Sequence, residues 1–297
     1  MQTTTTREAI LESPNPLGLD GIEFIEFSTN RPQAIGQVLE MLGFCPIARH
    51  RSREVLCYRQ GLMNLIINAH SAAPVEAAPL EASSAESPRL AAIGLRVRDA
   101  GAAYRRAIDL GAWAVPTGAA AMELSIPTIH GVGGSRIYFI DRYRDFSIFD
   151  IDFVPIPNVD PRPPALAGLH WFGLVQYIGP NRMLDWIAFY QEVLGCVPLP
   201  DQQRFGILPK GTILASPCGN FYLQLIEPEG DLLDVEHVER LQRIGFGVAD
   251  VPAAVKLLRS RGIEWLDAKD AASAQRGALS RAYLGDVMFE LVHDPRG

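Results

Sequence analysis

The sequence predicts an α+β protein of two similar domains, each a pair-type βαβββ unit that forms a curled mixed sheet around a cavity. Three observations predict it: an internal repeat, the same order of strand and helix patterns in both halves, and a proline-rich break near the middle. The repeat is explicit. Ile93-Gly-Leu-Arg-Val-Arg-Asp99 recurs as Ile244-Gly-Phe-Gly-Val-Ala-Asp250, a strand-like alternation closed by aspartate. Helical patterns follow at Ala100 to Leu110 and Val251 to Arg261, and the glycines that stop them, Gly111 and Gly262, lie 151 residues apart. Upstream, Leu42-Gly43 and Leu194-Gly195 end two further helical patterns, each followed within three residues by a proline, Pro46 and Pro198.

Taken in order, the first half reads as a strand at Gly21 to Phe27, a helix at Pro32 to Leu42 and strands at Val55 to Arg59, Asn64 to Asn68 and Ala92 to Val97. A helix to Leu110 and strands at Ser135 to Ile140 and Ser147 to Val154 complete it. The second half runs Leu169 to Ile178, helix Met183 to Leu194, Thr212 to Ser216, Phe221 to Ile226, Arg243 to Val248 and a helix to Arg261. It closes with a plain hairpin, Leu279 to Leu284 and Val287 to Val292, turning at Gly285-Asp286.

Met1 to Pro16 has little apolar content and reads as a loose arm. Ser71 to Pro88, rich in Ala, Ser, Pro and Glu, reads as a surface loop. Pro155 to Ala167 holds five prolines in thirteen residues and suits a semi-rigid linker. The domains expected are therefore residues 17–154 and 168–297.

The 297 residues are 48% apolar and 21% charged, which describes a folded chain. A net charge of −7 argues against nucleic acid or an anionic membrane as partner, since both reward clustered cations. Cys45, Cys57, Cys196 and Cys218 form no CxxC pair and sit in apolar stretches. No basic-then-apolar leader opens the chain and no apolar run reaches a membrane span. A cytoplasmic protein is the expectation.

The segments Asn15 to Phe27, Ala48-Arg-His-Arg-Ser52, Tyr58-Arg-Gln-Gly61, Met122 to Pro127, Gly131-Val-Gly-Gly134 and Asp150 to Val154 resemble the amino-terminal domain of bacterial 4-hydroxyphenylpyruvate dioxygenases, members of the vicinal-oxygen-chelate superfamily. In the second half the resemblance persists at Arg182-Met183, Trp186, Phe189-Tyr190 and Ser216-Pro-Cys-Gly219. It implies an Fe(II) enzyme that decarboxylates a 2-oxo acid and hydroxylates an aromatic ring, with iron held in the carboxy-terminal domain by two histidines and a glutamate. Carried over position by position, the histidine places fall on Gly173 and Arg243, and the glutamate survives as Glu290.

One carboxylate does not hold Fe(II), and a guanidinium only donates and repels a dication. No metal is therefore expected unless the family activity persists, in which case Glu290 is the one ligand retained. By strict alternation His170 and His293 fall on the opposite faces of their strands, Gln176 has the same parity problem, and His237 lies in a charged segment before the strand. The first half offers Gly21, Ala92 and Asp150 at the corresponding places. If strand pairing follows the family, Arg243 and Glu290 share one cavity and pair, with Gly173 opening space beside them. Two readings stay open. Either Arg243 binds the carboxylate of a small acid while Glu290 serves as base or acid, or the two form a salt bridge that replaces a lost metal.

Ser216, Gln224 and Ile226 occupy places that the resemblance assigns to substrate contacts. For Ser216 to Gly219 a simple turn is the competing reading. Only seven residues follow Glu290, so no carboxy-terminal lid is expected and the mouth of the second cavity should be open. The partner expected is a small aromatic or 2-oxo carboxylic acid, and exposed sheet edges suit a homo-oligomer. A dioxygenase with rearranged ligands and a non-catalytic ligand-binding protein are the alternatives.

Overall fold

The computed structural model describes residues 14–69, 87–116, 124–200, 205–206, 211–227, 238–268 and 270–296. Most of the arm, the loop at 71–86, residues 122–123 and His237 lie outside them.

The first half contains β1 (Gly21–Ser28), α1 (Pro32–Met41), β2 (Cys45–His50), β3 (Val55–Gln60), β4 (Met63–Asn68), β5 (Arg89–Arg96), α2 (Ala100–Asp109), β6 (Thr128–His130), β7 (Arg136–Ile140), α3 (Ile148–Asp152) and β8 (Phe153–Pro155). The second contains β9 (His170–Tyr177), α4 (Met183–Leu194), β10 (Val197–Pro198), β11 (Thr212–Ala215), β12 (Tyr222–Ile226), β13 (Arg240–Val248), α5 (Val251–Ser260), α6 (Ala271–Arg276), β14 (Gly277–Leu279) and β15 (Met288–His293). The repeated aspartates are helix caps. Asp99 accepts from the Ala102 amide at 2.7 Å and Asp250 from the Ala253 amide at 2.9 Å, satisfying donors that the first turn leaves orphaned.

Both halves use one pairing grammar. β1 runs parallel to β4 and antiparallel to β5, which runs parallel to β7. In the same way β9 is parallel to β12 and antiparallel to β13, which is parallel to β15. The two curled sheets meet where β5 and β13 pair at Leu90 and Leu241. Helix faces from both halves, including Ile35 and Val38 of α1, Ala103 of α2, Val193 of α4 and Leu258 of α5, pack into one shared core. A smaller cluster around Phe24, Cys57, Ile66 and Phe149 fills the inner side of the first sheet. Arg261 ties the halves further, donating to the carbonyls of Glu40 and Met41 at the end of α1.

Several elements differ from the sequence expectation, which also names no strand at β6 or β10. Ser147 to Val154 is the short helix α3 followed by β8, because the Ser147 amide donates to Asp150 at 2.7 Å in a capping box that starts a helix. Alternation also leaves out β2, whose prolyl residue and mixed polarity hide the period. The last hairpin is not plain: α6 precedes it, its first strand is Gly277–Leu279, and Tyr283 and Val287 form only an isolated bridge at the turn.

Candidate functional site

Two β-bulges recur in both halves and decide what faces each cavity. In β1 the partner register slips between Ile22 and Phe24, leaving Glu23 as the extra residue. In β9 the same slip leaves Phe172 between Trp171 and Gly173. Each bulge turns two consecutive side-chain positions inward, Glu23 with Phe24 and Phe172 with Gly173, while Ile22 and Ile25, like Trp171 and Leu174, stay in the shared core. A second slip, at Ala91 of β5 and Gln242 of β13, aligns Ala92 with Arg243.

The pairing therefore fixes which positions correspond. Gly245 faces Gly173 on one side and Glu290 on the other, and Gly94 faces Phe24 and Tyr138. The places in the first half that match Gly173, Arg243 and Glu290 are thus Phe24, Ala92 and Tyr138. This corrects the expectation of Gly21, Ala92 and Asp150 at its first and last places: Gly21 begins β1 three residues before Phe24, and Asp150 lies in α3 because the Ser147–Asp150 capping box starts a helix there, not on β7, the strand that pairs with β5. Phe24 and Tyr138 fill the first cavity, their rings 5.6 Å apart. Charged pairs border them: Arg96 lies 2.5 Å from Glu23 and Arg136 lies 2.8 Å from Glu26. Burial raises both carboxyls, opposed by these arginines, and burial with the Glu26 charge pushes the Tyr138 phenol up to about 12.

In the second half Arg243 and Glu290 come together. Arg243 Nε donates to Glu290 Oε2 at 2.9 Å, and the residues are 1% and 4% exposed. The guanidinium is not fully used, because Arg243 Nη2 is buried without a hydrogen-bond partner among the described residues. Beside Glu290 lies a cavity of about 20 Å³, walled by Phe172, Phe205, Tyr222, Gln224 and Glu290 among others, with Arg243 behind Glu290 and not among its walls. That space holds about one water molecule. The three aromatic rings pack with centroids 4.8 to 5.1 Å apart and take up the rest.

Among the described residues, Phe205 and Gly206 lie over the site that the short carboxy-terminal segment was expected to leave open. Gly206 lies directly on Glu290: a Cβ built there would collide with Oε1. Gly206 adopts φ +65°, so its missing side chain serves both the backbone turn and this approach. Phe205 seals the adjoining space. These two residues lie between β10 and β11, a part of the chain that no local sequence pattern ties to Glu290.

Gly173 does not open space either. A Cβ there would overlap the Tyr222 carbonyl oxygen of the neighbouring strand, so β12 occupies the room a ligating side chain would need. Gln224 lines the small cavity, whereas Ile226 and Ser216 are not among its walls. Ser216 organises a turn: its amide donates to the Phe221 carbonyl at 3.0 Å, and its hydroxyl accepts from the Phe221 amide at 3.2 Å. Gln176 points to the helix side, where it accepts from Tyr190 at 2.6 Å.

His170 needs a correction. The bulge at Phe172 resets alternation, so His170 faces inward over Gly247, where an added Cβ would strike its ring. It bonds Asp294 at 3.1 Å, and Asp294 is held by Arg296 at 2.6 Å. Desolvation raises the Asp294 carboxyl, but these hydrogen bonds outweigh it and hold the group well below its usual range. Asp294 lies four positions after Glu290, about 13 Å along an extended backbone, so the two clusters are distinct.

As a donor set for Fe(II), Gly173, Arg243 and Glu290 do not fit. One position has no side chain and no room for one, and the second places a hydrogen-bond donor on the only carboxylate. Among the described residues no group of three or more His, Cys, Asp or Glu side chains could hold a metal, and no helix is long and apolar enough to cross a membrane.

Comparison with known proteins agrees with this architecture. The family model for the amino-terminal domain of hydroxyphenylpyruvate dioxygenase matches residues 13–154. Hemolysin VllY of Vibrio vulnificus is 32% identical over 277 residues, covering 88% of this chain and 76% of that one. The 4-hydroxyphenylpyruvate dioxygenase of Pseudomonas aeruginosa is 31% identical over 278 residues, covering 88% and 75%. Among solved structures, a fusion of a xylose isomerase-like TIM barrel with a 4-hydroxyphenylpyruvate dioxygenase superposes with a TM-score of 0.71 at 22% identity, over 98% of this chain and 52% of that one. The chain belongs to the 4-hydroxyphenylpyruvate dioxygenase family.

Proposed function

We propose that this protein is a metal-independent member of its family that binds a small aromatic or 2-oxo carboxylic acid in the second cavity. The observation that carries this reading is the buried Arg243–Glu290 pair, with Arg243 Nη2 left without a partner. A ligand carboxylate supplies the acceptor that Nη2 lacks, in a dry site where a charge-assisted hydrogen bond is strong. Glu290, released in part from Arg243, then holds or moves a proton on the bound acid. Phe172, Phe205 and Tyr222 form the apolar wall, and binding requires Phe205 to withdraw, because the closed cavity admits only a water.

A second reading is favoured by that same small volume: the pair is a structural strut and the cavity stays closed. Calorimetric titration of the chelator-treated protein with phenylpyruvate separates the two. Saturable binding, lost in Arg243→Met/Glu290→Leu, supports the first reading; no heat with wild type or with Phe205→Ala supports the second. Recovery of the ligand unchanged after long incubation distinguishes binding from turnover.

A further inference from the structure

Cavities larger than the one at Glu290 lie elsewhere among the described residues. One of about 300 Å³ sits on the outer side of the second half, between α5, α6, β14 and the segment 265–268. That is the lower end of pockets that bury a small molecule, about 300 Å³ and above. Helix α5 presents Pro252, Val255, Lys256 and Arg259 to it, positions spaced i, i+3, i+4 and i+7 on one face. The opposite walls are small, Ala268, Ala274 and Ala278, and Trp265 forms an apolar wall.

Charge makes this pocket specific. Lys256 and Arg259 stand on successive turns, both exposed, and neither side chain forms an ion pair or hydrogen bond with the described residues. Asp267 is the one carboxylate in the lining. Trp265 is 5% exposed, and its indole N–H is buried without an acceptor among the described residues. Two free cations above an apolar, aromatic wall complement a ligand with an anionic head and an apolar body.

We propose that this pocket binds a small amphipathic anion, an aryl or short acyl group carrying a carboxylate or a phosphate, with the head between Lys256 and Arg259 and the body against Trp265. The site is separate from the Arg243–Glu290 pair and does not rest on its function.

The test is an NMR titration of the full chain. Its four tryptophans give four indole resonances, and loss of one in Trp265→Phe assigns that of Trp265. Phenyl phosphate and phenylacetate are added in parallel, with inorganic phosphate and benzyl alcohol as controls. A saturable shift of the Trp265 resonance with at least one aryl anion is expected, with the stronger of the two identifying the head group, and little shift with either control. Lys256→Glu/Arg259→Glu, a surface change that spares the core, should weaken binding about tenfold or more. Ala274→Phe should fill the pocket and abolish the shift. Arg243→Met/Glu290→Leu should leave it intact, so failure here is distinguishable from failure of the barrel reading. The proposal is overturned if neither aryl anion moves Trp265, if benzyl alcohol moves it equally, or if the shift persists unchanged in the doubly charge-reversed variant.

Discussion

Arg243 Nε lies 2.9 Å from Glu290 Oε2, joining β13 to β15 through the interior of the second sheet, and water reaches neither side chain appreciably. An isolated charge there costs several kcal/mol, whereas the pair offsets most of its own desolvation. Removing one partner should therefore be far worse than removing both. Arg243→Met is expected to lower unfolding free energy by about 3–5 kcal/mol, and Arg243→Met/Glu290→Leu to regain most or all of that loss. Denaturant unfolding of the two variants checks it.

Restoring a histidine at position 173 should not restore a metal site. The Tyr222 carbonyl stands where its Cβ must go, so Gly173→His requires β12 to shift. Gly173→His/Arg243→His is expected to be destabilised and to retain no stoichiometric iron after anaerobic loading and desalting, read by metal analysis and melting temperature.

Phe205 is one wall of the small cavity at Glu290. Truncating it to alanine removes one of the three rings that close the small cavity. If closure lowers the population of the binding-competent state, Phe205→Ala should tighten phenylpyruvate binding by about tenfold, measured by calorimetry. Gly206→Val should do the reverse to the fold, since its side chain would strike Glu290 Oε1, and a lowered melting temperature is expected.

Acid dependence should trace to Asp294. Its folded carboxyl titrates below the unfolded value of about 3.9, so its contribution is present above that pH and is lost as pH falls through the folded value. Asp294→Asn should be less stable than wild type at neutral pH. The gap should narrow progressively below about pH 4, followed by unfolding at stepped pH.

Much of this site was legible in the sequence because the repeat fixes β5 against β13, and a spacing of 151 residues carries Gly94 to Gly245 and Ala92 to Arg243. The Arg243–Glu290 contact followed from that and from the electrostatic cost of leaving either alone. What escaped was the bulge. One extra residue, Glu23 in β1 and Phe172 in β9, breaks strict alternation, and it moved His170 to the inner face. No residue type marks a bulge of this kind, since neither Glu23 nor Phe172 is glycine. Ser147-Ile-Phe-Asp150, by contrast, carried a readable capping box before α3. Closure by Phe205 and Gly206 is a long-range contact that no local pattern encodes.

The most direct test is the metal content of protein purified without chelator and then exposed to Fe(II) under anaerobic conditions. The account predicts that no iron is retained after desalting, and that phenylpyruvate binds equally with and without chelator. Stoichiometric iron, lost together with oxygen uptake on 4-hydroxyphenylpyruvate in Glu290→Ala, would contradict it.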